Sequence, residues 1–201
     1  MNIDQMFLEE NEYIDFNNNA IKSTAERLFY KIDSDVDKAR IAYEFVRDKI
    51  PHTFDIKSNT IVSKASDVLI YKTGICHAKS NLLAALLRLE KIKCGFCFQR
   101  ITLINDDSLG YCVHGYNAIF LNNKWIRVDA RGNKKGINAQ FSLVEPILAY
   151  KNRKEYDEYF WSGIYSKPHL EVMKMLDEAN TLEDIMNNIP DYVKQKPDII
   201  D

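Results

Sequence analysis

Apolar positions recur at helical spacing in several stretches of the first half of the chain. Residues 1 to about 19 are polar, end in three asparagines and read as an irregular or partly helical lead-in. A helix is expected from Ala20 to Ile32. Ser34-Asp-Val-Asp37 then resembles a capping-box start, with Asp in place of the usual Glu. Behind it Ala39, Ala42, Tyr43, Val46 and Ile50 fall on one helical face, and Pro51 stops the run. Residues 52–64 read as a loop with a short strand, and Ser66 to Tyr71 as a short helix. Lys72-Thr-Gly74 breaks the chain before TGICHAKSNLLAALL. There Leu82, Leu83, Leu86 and Leu87 form a buried stripe, with Ala78 and Ala85 small. That predicts a central helix of roughly 14 residues opening near Cys76.

The period then changes. CGFCFQRITLI and YCVHGYNAIFL are rich in aromatic and β-branched residues, as strands are, and Asn105 to Ser108 separates them. Asn122-Asn123 reads as a two-residue hairpin turn before KWIRVDA. With that turn, opposed positions sum to 245, so Leu121 faces Lys124, Tyr116 faces Asp129 and His114 faces Arg131. RGNKKGINAQ reads as loop. From about Leu143 the chain looks mostly helical, Thr181-Leu-Glu-Asp184 caps a last helix, and KPDIID frays. No repeat or low-complexity segment interrupts this order. Helices, one central helix, an antiparallel run and further helices predict an α+β fold. The expected organisation is one domain over residues 1–201, with a core of about 35–142 and helical flanks at 1–34 and 143–201.

Charge narrows the function classes. The chain has 201 residues, 27 basic and 29 acidic, for a net charge of −2. No basic excess points to nucleic acid. No apolar run has the length of a membrane span, and the acidic start MNIDQMFLEENEY lacks a secretory signal pattern. The expectation is a cytoplasmic protein whose cysteines, Cys76, Cys94, Cys97 and Cys112, stay reduced.

Cys76 follows Gly74-Ile75 at the front of the predicted helix. Free backbone N–H groups and the positive end of the helix dipole favour a thiolate there. Taken alone, such a cysteine is more often a small buried hydrophobe. The predicted sheet supplies two partners. His114 and Asp129 are diagonal neighbours on one face, about 7–8 Å apart at the backbone and within side-chain reach. A histidine beside a thiol acts as base, and an acid behind it fixes the imidazole tautomer. Singly, each has an ordinary structural reading; jointly, Cys76, His114 and Asp129 form a nucleophile, base and orienting acid.

Other signals are weaker. Cys94 and Cys97 have half a zinc spacing but point to opposite faces of a strand, and read as core. Cys112 and His114 share a face and could hold a metal with Cys76. His77 adjoins Cys76 but points about 100° away around the helix. His52 and His169 read as surface or capping residues, and Trp125 as core. RGNKKG reads as a cleft-rim loop. Tyr156, Tyr159, Phe160 and Trp161 read as the surface on which the C-terminal helices dock, or as a contact patch.

Four motifs occur in order: Gly74-x-Cys76, the Leu82-Leu83-x-x-Leu86-Leu87-Arg88 helix, His114 followed by an aromatic residue and Asn117, and Trp125-x-x-x-Asp129. Over about residues 66–135 the chain resembles the transglutaminase-like superfamily. The resemblance implies a papain-like core with the cysteine on a helix N-terminus and the histidine and aspartate on adjacent strands. It implies Cys76 as nucleophile, His114 as base and later acid, and Asp129 as orienting residue. It implies acyl transfer from an amide through a thioester: a peptidase or amidase if water completes it, a transglutaminase if an amine does. The expected partners are a peptide or protein amide and, in the second case, an amine acceptor. No cofactor is needed, and no nucleic acid or membrane is expected. The Cys76 N–H is a natural oxyanion donor; the second donor is left between an upstream side chain and Gln99. Two rivals remain: a catalytically silent binding module, and a metal site of Cys76, Cys112 and His114.

Overall fold

The computed structural model describes residues 3–104 and 106–200. Met1 and Asn2 of the lead-in, Asn105 of the polar stretch between the strands, and Asp201 of the tail lie outside the described residues. The helices are α1 (Ile3–Met6), α2 (Asn19–Leu28), α3 (Asp35–Lys49), α4 (Ala65–Tyr71), α5 (Cys76–Leu89), α6 (Leu170–Glu178) and α7 (Leu182–Asn188). The strands are β1 (Cys94–Thr102), β2 (Tyr111–Leu121), β3 (Lys124–Val128) and β4 (Tyr159–Phe160), in the antiparallel order β3-β2-β1-β4. The architecture is α+β, as the sequence pattern predicts, with α5 packed on β1 and β2 and surrounded by α2, α3 and α4.

Local chemistry sets the boundaries. Ser34 caps α3 by accepting from Asp37 N–H, while the Asp37 carboxylate turns to Arg40 rather than closing a box. The Thr181–Asp184 box at α7 is complete. α2 ends at Leu28, short of Ile32, because Lys31 takes a left-handed φ of 58°. No strand forms in 52–64; those residues turn, with one bridge between His52 and Gly74.

α5 departs from a one-sided stripe: every residue from Cys76 to Arg88 is buried. Its two charged members are satisfied by distant backbone, whereas Asn81 Oδ1 has no partner among the described residues. Arg88 donates to the carbonyls of Glu9, Cys94 and Ser166. Lys79 donates to those of Ile50 and Arg131.

The C-terminal third is less helical than expected. Residues 143–169 hold one 3₁₀ turn at Lys154–Tyr156 and the short β4. Their backbone groups bond β1 instead: Trp161 N–H donates to Phe98, and Tyr165 exchanges bonds with Phe96. Left-handed residues Asp157 and Gly163 turn the chain back onto that edge. Tyr159 and Phe160 therefore form an edge strand rather than a seat for helices.

The hairpin forms in the predicted register. Asn122 and Asn123 have φ of 50° and 61°, the primed turn that two-residue hairpins require. β3 ends early, however. The ladder runs from Leu121–Lys124 to Asn117–Val128 and stops, so Tyr116 and His114 are not paired with Asp129 and Arg131. The edge of β2 beyond Asn117 is left without a strand.

Candidate active site

The first turn of α5 fills that vacated edge. Val113 and Gly115 direct their N–H and C=O groups toward it, as Asn117 directs its own toward β3. His77 Nε2–H donates to Val113 C=O at 2.8 Å; a carbonyl only accepts, so the proton is on Nε2. Ser80 Oγ lies 3.4 Å from the Gly115 carbonyl. Val113 N–H donates to Pro190 C=O at 2.8 Å. Gly115 N–H donates to the sulfur of Cys76. Buried edge groups must be partnered, and the partners here come from α5 and the C-terminal segment.

Cys76, His114 and Asp129 meet at this point. His114 Nε2–H donates to Asp129 Oδ2 at 2.8 Å. A second hydrogen bond links His114 to the Cys76 sulfur. With Nε2 on the carboxylate, Nδ1 is the ring atom left for the thiol. Asp129 reaches His114 because it is the first residue after β3, free of the ladder. Arg131 N–H donates to its Oδ1 at 3.1 Å and Ala149 N–H to its Oδ2 at 3.0 Å. Arg131 itself is held by a two-pronged ion pair with Asp55, which Lys134 also joins.

Exposure is low: 9% for Cys76, 2% for His114 and 1% for Asp129. Burial pushes the Cys76 thiol up, but the charge and hydrogen bond of His114 and the Gly115 N–H outweigh it, leaving the thiol below its ordinary value. Burial pushes His114 down, yet Asp129 and Cys76 raise it to about 10. Burial raises Asp129, and His114 with the two backbone N–H groups lowers it below the usual carboxylate range. These shifts favour one charge state, thiolate–imidazolium–carboxylate. A thiolate held against an imidazolium is a nucleophile with a proton donor beside it.

A cavity of about 640 Å³ is lined by Tyr116, Arg127, Tyr150, Lys151, Phe160 and Trp161 among others; Cys76, His114 and Asp129 are not in its lining. Tyr116 stacks on His114 at 6.2 Å and Tyr150 meets it edge-on at 4.9 Å. The sequence-predicted aromatic cluster thus splits, with Phe160 and Trp161 lining the cavity.

The remaining candidates fall elsewhere. Cys94 and Cys97 lie in clusters on opposite faces of the sheet. Among the described residues no three His, Cys, Asp or Glu side chains are grouped to hold a metal ion, Cys76, Cys112 and His114 included. Burial raises the Cys112 thiol to about 12. His169 caps α6 by accepting from Val172 N–H. Gln99 is directly opposite His114 on β1, fully buried, with neither amide atom partnered.

His52 takes the capping half of its expectation and not the surface half, and it caps the helix that carries the nucleophile candidate. It is 8% exposed and not a surface group, and its Nε2 accepts the Cys76 N–H at 3.2 Å. Its position follows from the bridge to Gly74 and the Thr53 N–H bond to the Gly74 carbonyl, contacts 22 and 21 residues apart that no local pattern announces.

No curated protein matches the chain. A solved structure from Cytophaga hutchinsonii, provisionally described as a cysteine protease, is similar at 19% identity with a TM-score of 0.49, covering 65% of this chain. The match spans 43% of that protein's length. The family model of the transglutaminase-like superfamily matches residues 22–130, more than half of the 201 residues and inclusive of the thiol, imidazole and carboxylate, and the chain belongs to that superfamily.

Proposed function

We propose that the protein transfers an acyl group from an amide to water or an amine, with Cys76 as nucleophile, His114 as acid and base, and Asp129 as the residue that orients His114. The observation that carries this reading is the hydrogen-bonded chain Cys76–His114–Asp129, whose charges lower a buried thiol that burial alone would raise. The Cys76 thiolate attacks the amide carbonyl carbon. The C–N bond breaks as the His114 proton passes to the leaving nitrogen, and a thioester remains. Water or an amine then attacks the thioester, gives its proton to His114, and the thiolate leaves. The choice between hydrolysis and transamidation rests on which nucleophile reaches the thioester.

The test is the rate of Cys76 alkylation by iodoacetamide against pH, with peptide mapping, in wild type and His114→Ala. An ordinary cysteine titrates near 8.5. Fast alkylation near pH 6 in wild type, lost in His114→Ala, is the expected result. A free-thiol profile, or an inert thiol, refutes the reading. The second reading is then a binding module without turnover, which the 9% exposure of Cys76 and the Pro190 contact on neighbouring Val113 favour.

A further inference from the structure

The N-cap of α5, Ile75, offers no side-chain acceptor, and the cap comes from 24 residues upstream: the Cys76 N–H donates to His52 Nε2 at 3.2 Å. That N–H is the donor an attacked carbonyl oxygen needs, so the ring nitrogen stands where the oxyanion would form. His52 Nδ1 is buried with no partner among the described residues. With Nε2 accepting, the resting proton is on Nδ1, and no acceptor at Nδ1 holds it there. The backbone around His52 is pinned: Lys79 Nζ holds the Ile50 carbonyl, and the Thr53 and Thr73 hydroxyls meet at 3.2 Å. Burial and then the charges of Arg131 and Lys79 hold His52 well below its ordinary value, with Asp55 the opposing influence and His114 adding to the depression. The ring is neutral.

We propose that His52 is the second oxyanion donor of this site, accepting the Cys76 N–H while the site is empty and donating Nε2–H beside it once a substrate carbonyl oxygen enters. The inference rests on the acyl-transfer reading. A neutral imidazole can do both, because either nitrogen may carry the proton. Solvent water entering with the substrate takes the proton from Nδ1 and returns one to Nε2, so the ring charge is unchanged and the water is regenerated. An oxygen bound at roughly 2.8–2.9 Å by both groups needs them about 4.5 Å apart, so the ring withdraws by somewhat more than 1 Å. An imidazolium here would be a worse resting partner, since it offers the Cys76 N–H no lone pair.

Two reactions of the 201-residue chain separate the roles. Alkylation by iodoacetamide displaces iodide without forming an oxyanion. Acylation by p-nitrophenyl acetate, read as a burst of p-nitrophenolate, passes through a tetrahedral oxyanion. His52→Phe keeps ring shape without a donor, and His52→Asn keeps a donor. The expected result is that His52→Phe leaves the alkylation rate and its pH profile in place while slowing acylation about 10²–10³-fold, and His52→Asn recovers much of the loss. Equal losses in both reactions, or an unchanged burst in His52→Phe, overturn the inference. So does a loss carried by Gln99→Leu instead, which would move the donor to the unpartnered amide opposite His114. A free-thiol alkylation profile in wild type removes the acyl-transfer reading and the inference with it. A paired profile with an unaffected burst in His52→Phe removes the inference alone.

Discussion

Replacing Gly115 by alanine should damage both stability and the reactivity of Cys76, although strands ordinarily prefer alanine to glycine. A Cβ at Gly115 would lie 2.5 Å from His77 Nδ1, 2.8 Å from Cε1 and 3.0 Å from Cγ. Ordinary carbon contacts are about 3.5–4.0 Å, so the overlap is roughly 1 Å against a ring edge. The ring is poorly placed to retreat. Its Nε2–H is committed to Val113 C=O at 2.8 Å, and its faces meet Phe98 and His169, each 6.0 Å between centroids. Overpacking of this kind costs about 1–3 kcal/mol. Losing the His77–Val113 bond adds about 1 kcal/mol, for a total near 2–4 kcal/mol. The strain falls on the first turn of α5, which carries Cys76. A shift of about 1 Å there can cost a hundredfold in rate.

Urea unfolding should show a lower midpoint with an unchanged slope, and alkylation of Cys76 near pH 6 should slow. The pair of substitutions isolates the cause. His77→Ala removes the ring, so Gly115→Ala in that background should cost less by about 1–2 kcal/mol. Without a clash, Gly→Ala in extended backbone stabilises by about 0.4–1 kcal/mol. A neutral or stabilising Gly115→Ala, or strictly additive effects with His77→Ala, would refute the packing argument.

Two further outcomes are expected. Asp129→Asn removes the charge that helps raise His114 to about 10, so the alkaline limb of acyl transfer should move toward lower pH and turnover fall about 10²–10⁴-fold. The linked stability has a definite sign: a raised His114 stabilises the fold fully below about pH 6.5 and loses that contribution as pH rises through about 10. Chemical denaturation at several pH values should show this decline in wild type and a flatter curve in Asp129→Asn. Arg88→Met leaves the carbonyls of Glu9, Cys94 and Ser166 without their buried donor, at about 3–5 kcal/mol in total. The pH profile of Cys76 in the folded fraction should be unaltered, because none of these carbonyls touches it; a changed profile would count against a purely structural role.

Elements whose information is local were readable from sequence. The Asn122-Asn123 turn fixes the β2–β3 register, and Ser34 and Thr181 announce their helices. The break at Gly74 marks where α5 opens. Contacts across the chain were not readable. Helical spacing sets Arg88 opposite the leucine stripe and Lys79 within it, yet both charged groups are buried because carbonyls from remote loops receive them. The end of β3 is equally silent: Asp129-Ala-Arg131 could continue a strand, and it stops because Arg131 turns to Asp55, 76 residues away. The region after Leu143 contains helix-compatible residues, but its backbone is captured by the free edge of β1. His52 belongs with these, since its partner Cys76 lies across a loop and not along a helix or ladder.

Unequal strand lengths explain why the three reactive groups converge. β2 has 11 residues and β3 has five, so the edge of β2 past Asn117 exposes N–H and C=O groups inside the fold. A longer β3 would satisfy them, carry Asp129 into the ladder opposite Tyr116, and close the gap. Because β3 stops, Asp129 is free to turn toward His114, and the gap admits a helix end in place of a strand. The helix arrives with its own surplus N–H groups and a sulfur that can accept the Gly115 N–H. The exchange is conditional on residue 115 having no side chain, since His77 lies where one would project. The same missing strand that leaves Gly115 N–H unpaired thus supplies a donor to the thiolate, and the early end that frees Asp129 supplies the charge that holds His114 protonated beside it.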